Sequence, residues 1–203
     1  MTPEEFADRL QHVEKRVSEA TSYFSTWEVL GNADEDEVRL MNRYNSIFVP
    51  AKVGLQLQML QTVANLFDRD SRTASFPNLV KAIEEQPDFV PNSAEVVRRV
   101  RTTLDGLMDP IKKLMKVRNQ FLSHFDATSK GLPGVTLGEF RQTLKGAQEA
   151  LDELTKAHHR ATTSYGQVKR RSETQFGRLM RDLQEARDRD QALVDQTRQP
   201  DEG

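Results

Sequence analysis

The stretch from Thr136 to Val168 reads TLGEFRQTLKGAQEALDELTKAHHRATTSYGQV, and its apolar residues recur at alternating spacings of four and three. The positions that share this stripe are Phe140, Leu144, Ala147, Leu151, Leu154, His158, Ala161, Tyr165 and Val168. This period is typical of a helix with one apolar face. Thr136 with Glu139 three residues on forms a capping box, which predicts where the helix starts.

The same alternation resumes beyond Val168, through Ser172, Phe176, Leu179, Leu183 and Ala186. One unbroken helix over residues 136–186 would be about 75 Å long at 1.5 Å per residue, more than a small bundle can cover. We therefore expect the helix either to bend near residues 163–166 or to project and pack against a partner. From Arg187 to Gly203 the chain is charged and poor in large apolar groups, which predicts a frayed or disordered end.

Further helical stretches precede this one, each with apolar residues at helical spacing. In the first, Tyr23, Phe24 and Trp27 lie at core spacing, and Thr2-Pro3-Glu4-Glu5 forms a good start. The first helix is expected over residues 3–30 and the second over residues 34–67, with a kink at Pro50. A short helix from residue 76 is opened by Pro77. The helix expected over residues 92–124 has a capping-type start at Asn92 and Glu95 and a kink or break near Gly106 and Pro110. Loops are expected at 87–91 and 125–134.

The composition fits a helical protein and narrows the classes of function. The 203 residues carry 29 basic and 31 acidic side chains, a formal net charge of −2, and 30% are charged. Such a chain lacks the strong positive charge of a duplex DNA binder. There is no cysteine, which excludes disulfides, thiolate zinc sites and a cysteine nucleophile. The N-terminus is acidic and amphipathic and no apolar run reaches membrane-spanning length, so we expect a cytoplasmic protein without membrane contact.

These patterns together predict an all-α antiparallel helical bundle with a long C-terminal helix. The expected division is a bundle over residues 1–165 and a helical extension over residues 166–203. His158 and His159 lack the accompanying carboxylates of a metal site, so neither a metal nor a cofactor is expected.

Basic residues concentrate between Arg98 and Arg118, where only Asp105 and Asp109 oppose them. The cations of this segment are Arg98, Arg99, Arg101, Lys112, Lys113, Lys116 and Arg118. A solvated helix face explains such a pattern, and so does a surface for a phosphate backbone. On the second interpretation, Lys112, Lys113 and Lys116 are the candidate contacts to an RNA backbone.

Residues 113–126 read KLMKVRNQFLSHFD and bring Arg118, Asn119 and His124 close together at the end of a predicted helix. An arginine, a polar residue, a short spacer and a histidine resemble the motif of the HEPN superfamily (higher eukaryotes and prokaryotes nucleotide-binding domain). Ser123 before the histidine and Asp126 after it make the segment similar to the abortive-infection branch. The upstream helix that ends in Leu66-Phe67-Asp68-Arg69 adds to this similarity over roughly residues 5–165.

The resemblance implies a HEPN-type bundle and a metal-independent endoribonuclease in phage defence or a toxin–antitoxin role. The implied partners are RNA, a second copy of the chain, and an antitoxin or other protein bound through the C-terminal helix. In HEPN toxins whose regulatory tyrosine lies two residues after the histidine, that tyrosine accepts a nucleotide. Here the position holds Asp126, so control by such modification is not supported.

The residue types suit RNA cleavage by attack of a 2′-hydroxyl group. His124 can move a proton near neutral pH, and its place near the negative end of a helix would favour the protonated form and an acid role. Arg118 can stabilise charge on the phosphorane oxygens, and Asn119 can hold either the imidazole or the phosphate. Ser123, Asp126, Asp68 and Arg69 are candidate supporting residues. A structural role explains the same residues: a helix-end histidine on a carbonyl, an arginine paired with an acid, and charges collected at a helix end.

One helix cannot bring the arginine and the histidine to a single phosphate. Six residues place Arg118 and His124 about 120° apart around the axis and roughly 9 Å apart along it. A two-fold dimer removes this difficulty, because both chains then line one cleft. The competing interpretations are a non-catalytic dimerisation or interaction module and a nucleotide-binding or nucleotidyltransferase-associated antitoxin partner.

Overall fold

The structure is a computed structural model that describes residues 1–119, 134–159 and 164–198. Within these ranges it contains eight α-helices, one short 3₁₀ helix at Pro87–Phe89 and no strand, which confirms the all-α prediction. The helices are α1 Pro3–Gly31, α2 Glu35–Arg43, α3 Asn45–Asn65, α4 Phe76–Glu85, α5 Ser93–Asp105, α6 Met108–Val117, α7 Leu137–His159 and α8 Tyr165–Arg198. None of the helices in these ranges is long and apolar enough to span a membrane.

Helix α1 lies at the centre of the bundle and contacts α3, α4, α7 and α8. Its capping box, in which Thr2 and Glu5 exchange hydrogen bonds between side chain and backbone, starts the helix as predicted. Its buried stripe is Phe6, Leu10, Val13, Val17, Ala20 and Phe24. Each large apolar side chain removed from water in this way contributes about 1.5–3 kcal/mol, so this face supplies much of the driving force for folding.

Helix α7 packs against α1 in the opposite direction. Phe140 lies 5.3 Å from Phe24 between ring centroids, whereas His158, near the other end of α7, lies 5.5 Å from Phe6. Between them Gln148 donates a 2.9 Å hydrogen bond to Thr21. The predicted capping box of α7 is present, since Glu139 N donates to Thr136 Oγ1 and Thr136 N donates to Glu139 Oε2.

The long C-terminal apolar stripe is divided between two helices. Helix α7 ends at His159 and α8 begins at Tyr165, and α8 packs against α1, where the hydroxyls of Thr26 and Ser172 are 3.3 Å apart. The sequence predicts a frayed or disordered end from Arg187, whereas α8 stays helical through Arg198. Hydrogen bonds four residues apart, from Gln184 to Asp188 and from Gln191 to Asp195, support the exposed helix. Residues 199–203, for which a frayed or disordered end is expected, lie outside the described residues. The division of the chain at residue 165 stays a prediction.

The helical stretch before Phe67 breaks at Tyr44 rather than at Pro50. Helix α2 begins with a capping box between Asp34 and Glu37, and Tyr44 leaves helical geometry at φ −112° and ψ 35°. Pro50, the sixth residue of α3, lies inside the helix without ending it, although a proline there removes one backbone hydrogen bond and crowds the carbonyl of Ser46.

The start of α5 also differs from the expected capping box. Asn92 has a left-handed φ of 52° and its side chain makes no capping hydrogen bond. Glu95 instead accepts hydrogen bonds from Arg98 and Arg99, which lower its pKa to about 2. Because Arg98 and Arg99 bind the Glu95 carboxylate, it does not accept the backbone hydrogen bond that a capping box needs. The break expected at Gly106 is present, with α5 ending at Asp105 and α6 beginning at Met108.

Gly146 allows α7 to approach the connection between α5 and α6. A Cβ atom added at Gly146 would overlap the Cδ1 atom of Leu107, a buried side chain 5% exposed. Gly177 on α8 provides a matched comparison, because a Cβ atom there meets nothing within 4 Å. The two glycines therefore separate a packing requirement from helix propensity.

We expect Gly146→Val to lower the free energy of unfolding by about 1–3 kcal/mol, the usual result of overpacking a core. Gly177→Val should leave it unchanged or slightly raised, because both substitutions gain helix propensity and only the first forces Leu107 to move. Urea unfolding followed by circular dichroism measures both values. Equal midpoints for the two variants would contradict the close approach of α7.

Candidate functional site at the ends of α3 and α6

The candidate site forms where two helices end side by side. Helix α6 ends at Val117, and Arg118 and Asn119 follow it in a π-helical turn, a conformation frequent at functional sites. Helix α3 ends at Asn65, and the chain then turns through Phe67 and Asp68. Residues far apart in sequence are thus brought to one place by the packing of α3 against α6.

Arg118 connects the two helix ends through a network of hydrogen bonds. Its Nη1 atom donates to Asp68 Oδ2 at 2.6 Å and to Asn65 Oδ1 at 3.2 Å. Its Nε and Nη2 atoms donate to Asn119 Oδ1 at 3.0 and 2.9 Å. Only 16% of the Arg118 side chain and 23% of the Asp68 side chain are exposed, so solvent screens this ion pair much less than a surface pair.

The ionisation of Asp68 is shifted by these neighbours. Partial burial acts to raise its pKa, but the hydrogen bond from the Asp70 backbone N–H and the Arg118 guanidinium together outweigh that effect. The pKa therefore lies below its ordinary value. The carboxylate stays ionised at neutral pH and keeps the guanidinium in place.

The network leaves part of Arg118 available to a ligand. A guanidinium has five N–H groups, and the four hydrogen bonds above leave one Nη2–H without an acceptor in the described part of the chain. The Asn119 amide group also has unused N–H donors there, because only its oxygen is engaged. A phosphate could bind to these donors directly, or it could compete with Asp68 for the guanidinium.

The neighbouring cations differ in how free they are. Arg69 is exposed and lacks an acidic partner in the ranges that the structure describes. Lys116 is likewise exposed and has no acidic partner there. Lys112 makes only a long contact of 4.0 Å with the exposed Asp109, so this lysine is weakly paired. Lys113, in contrast, forms an ion pair with Glu139 of α7, and this contact lowers the pKa of Glu139 to about 2.

The arginines of α5 are paired with acids that lie outside residues 98–118, on α4, on α7 and in the first turn of α5 itself, so the count of charges along residues 98–118 did not include them. Arg101 binds Glu84 of α4 through two guanidinium nitrogens, at 2.9 and 2.7 Å. Arg99 binds Glu95 at 2.8 Å and approaches Glu153 of α7 at 3.3 Å. The basic surface is therefore smaller than the sequence suggests. It centres on Arg69, Lys112 and Lys116, beside the ion-paired Arg118.

Three of the predicted site residues, Ser123, His124 and Asp126, lie outside the described residues. Arg118, Asn119 and Asp68 are brought together, and Arg69 follows Asp68 directly. Asn65 is a contact of Arg118 that the sequence analysis missed. Its only signal is a polar residue in the otherwise apolar end of α3, VANLF. Within the described ranges, no cluster of three or more His, Asp or Glu side chains could hold a metal ion.

Comparisons with known proteins point to one family. A model of the family HEPN_AbiU2, described as AbiU2, matches residues 3–189. The match runs from the first residue of α1 well into α8 and so includes Asn65, Asp68, Arg118 and Asn119. Neither the comparison with curated proteins nor the comparison with solved structures found a match.

We expect Asp68→Asn to lower the free energy of unfolding by about 1–3 kcal/mol, because it leaves the half-buried Arg118 without its counter-ion. The pKa of Asp68 is lowered in the folded state, so its contribution is complete above the ordinary aspartate pKa. It is lost as the pH falls through the lowered value. Urea unfolding between pH 7 and pH 3 should therefore show a loss that shrinks towards low pH.

Asp70→Asn is the matched control for this experiment. Asp70 pairs with Arg72, of which 88% is exposed, so its removal should change the unfolding free energy much less. Comparable losses for the two variants would show that Asp68 and Arg118 are not specially coupled.

Proposed function

The chain belongs to the AbiU2 family of HEPN domains, which is of the abortive-infection type, and on this premise we propose that it is a metal-independent endoribonuclease. The proposed setting is phage defence or a toxin–antitoxin pair, and the proposed active form is a homodimer. The proposal rests on one observation above the others: Arg118 is fixed at a helix end by Asn65, Asp68 and Asn119, and one of its N–H donors has no acceptor among the described residues.

The proposed reaction needs only groups of this chain, the RNA and solvent water. The 2′-hydroxyl gives its proton to water as it attacks the adjacent phosphorus, the bond from phosphorus to the 5′-oxygen breaks, and a 2′,3′-cyclic phosphate forms. His124 donates the proton that the leaving oxygen takes, and Arg118 stabilises the charge on the phosphorane oxygens. Because the guanidinium is already oriented by its partners, little reorganisation accompanies the transition state.

An exposed apolar ridge on α3 supports the proposed homodimer. Val49, Val53 and Leu57 follow each other at intervals of four residues and are 60%, 50% and 40% exposed. The same interval continues through Gln61 to Asn65, the residue that contacts Arg118. A ridge of this kind is unfavourable in water and would bring a second copy close to the candidate site.

The charge of α3 favours its own copy as the partner of this ridge. Lys52 is the one charged residue of the helix, and its Nζ atom lies 6.0 Å from the centre of the Trp27 ring. In a two-fold interface each side chain meets the same surface of its partner, so like charges would repel. A nearly neutral helix avoids that repulsion.

A non-catalytic interaction module is the second candidate, and a different observation favours it. A cavity of about 510 Å³ lies between α1, α3 and α8, and apolar side chains such as Phe48, Leu55 and Phe176 line most of it. An apolar segment of an antitoxin or other protein could bind in this cavity and so contact α8, the C-terminal helix. Such a role would not require Arg118.

We expect the purified protein to cleave total RNA in the presence of EDTA, and the products to carry 2′,3′-cyclic phosphate ends. His124→Ala and Arg118→Ala should each reduce cleavage by at least about 100-fold, the usual contribution of a general acid or an oxyanion donor. Gel analysis of labelled RNA measures the rate. His12→Ala and Arg72→Ala are matched controls on exposed side chains and should retain activity.

Thermal melting of each variant separates lost chemistry from lost folding, since Arg118 also binds Asp68. Cleavage that persists in His124→Ala, or that disappears equally in His12→Ala, would remove the proposed nuclease mechanism. Absence of cleavage by the wild-type protein would favour the interaction module.

We expect Val53→Glu combined with Leu57→Glu to convert the dimer to a monomer and to abolish RNA cleavage, because a two-fold contact would bury four added carboxylates. Sedimentation equilibrium measures the mass. Leu137→Glu is the matched control, because this exposed residue lies in the first turn of α7, where an acid is favourable. A monomeric variant with full activity would contradict the need for a dimer.

A further inference from the structure

A cavity of about 840 Å³ opens beside Arg118, between α4, α5, α6 and the turn that follows α3. Arg118 and Asn119 are among its lining residues, so the cavity adjoins the candidate site directly. Its volume is within the range of roughly 300–1,000 Å³ in which proteins bind small organic molecules.

One wall of the cavity is apolar and partly open to solvent. Leu104, Met108 and Met115 line it and are each half-buried, while Ile111 beneath them is 8% exposed. Met108, Ile111 and Met115 lie on one face of α6 because they are three and four residues apart, and α5 adds Leu104. Methionine side chains are flexible and polarisable, and they adapt to flat aromatic groups. A nucleobase is a group of this kind.

The lining of the cavity carries charges of both signs. Arg69 and Lys112 line it together with the acid Asp105, whereas the Asp68–Arg118 and Glu84–Arg101 pairs add no net charge. Arg69 has no acidic partner among the described residues, and Arg118 has one Nη2–H without an acceptor there. A purely apolar ligand would leave these cations without partners, and a bare phosphate chain would leave the apolar wall exposed.

We propose that this cavity binds one nucleoside phosphate unit, with the base against Leu104, Met108 and Met115 and the phosphate on Arg69 and Arg118. The unit can belong to an RNA strand or to a free nucleotide. In the first case the inference rests on the proposed nuclease function and identifies the subsite for the base next to the cleaved phosphate. The wall contacts the base through apolar atoms, so binding requires a base but discriminates weakly among bases.

Binding of probes that cannot be cleaved tests the cavity independently of nuclease activity. The first pair is a fluorescent 2′-O-methyl RNA hexamer and the same hexamer with one abasic position, compared by anisotropy. The second pair is 5′-adenylate and ribose 5-phosphate, compared by calorimetry. Loss of the base should weaken binding about 10-fold or more in at least one pair, the usual effect of removing one stacked base.

Variants of the full-length protein assign that effect to the cavity. Met108→Glu should remove the advantage of the probe that has the base, and Met108→Ala should reduce it while disturbing folding less. Leu137→Glu adds the same charge elsewhere and should change nothing. Arg69→Gln should weaken both members of a pair equally, because it acts on the phosphate. Thermal melting confirms that each variant is folded.

A base advantage seen only with the hexamer supports an RNA subsite, and one seen only with adenylate supports a site for a free nucleotide. Equal affinity within both pairs, or a base advantage that survives both Met108 variants, overturns the proposal. RNA cleavage by a protein that shows no base advantage would leave the nuclease function standing and remove this cavity from it. Base-dependent binding without RNA cleavage would support the proposed cavity and remove the nuclease function.

Discussion

The shared burial of one face of α1 is the constraint on which the structure depends. Helices α3, α4, α7 and α8 all contact α1, and the stripe from Phe6 to Phe24 is almost wholly removed from water. A helix surrounded in this way fixes the positions of its neighbours, because densely packed side chains leave few alternative arrangements. The end of α3, and with it Asn65 and Asp68, is therefore positioned by contacts made far from the candidate site.

The candidate site takes its rigidity from two sides of this packing. Ile111 and Leu114 hold α6 in the core, and Lys113 attaches it to Glu139 at the start of α7. Arg118, just after the end of α6, then contacts Asp68, which follows the end of α3. In the proposed reaction, Asp68 would have two opposed effects, since it orients the guanidinium and would also compete with a phosphate for it. The Nη2–H and the Asn119 amide N–H groups, which have no acceptor within residues 1–119, 134–159 and 164–198, would give a phosphate donors without displacing Asp68.

Helical spacing predicted the bundle well because a buried face leaves a regular period in the sequence. The starts of α1 and α7 could be predicted from their capping boxes, since these act over three residues. The break at Tyr44 could not, because Tyr44 is an ordinary residue there and Pro50 drew attention instead. The contact between Asp68 and Arg118 spans 50 residues and follows from tertiary packing, so it came within reach only through the family resemblance. Asn65 left almost no signal.

If the proposed homodimer forms through the apolar ridge of α3, its amount would depend steeply on the abundance of the protein. The single chain exposes Val49, Val53 and Leu57 to water, and association with a second copy would relieve that exposure. By mass action, the paired fraction at low concentration rises in proportion to the amount of protein, so the number of pairs rises with its square. Under this proposal, a change in synthesis or degradation would produce up to twice that fractional change in the number of pairs, without any additional regulator.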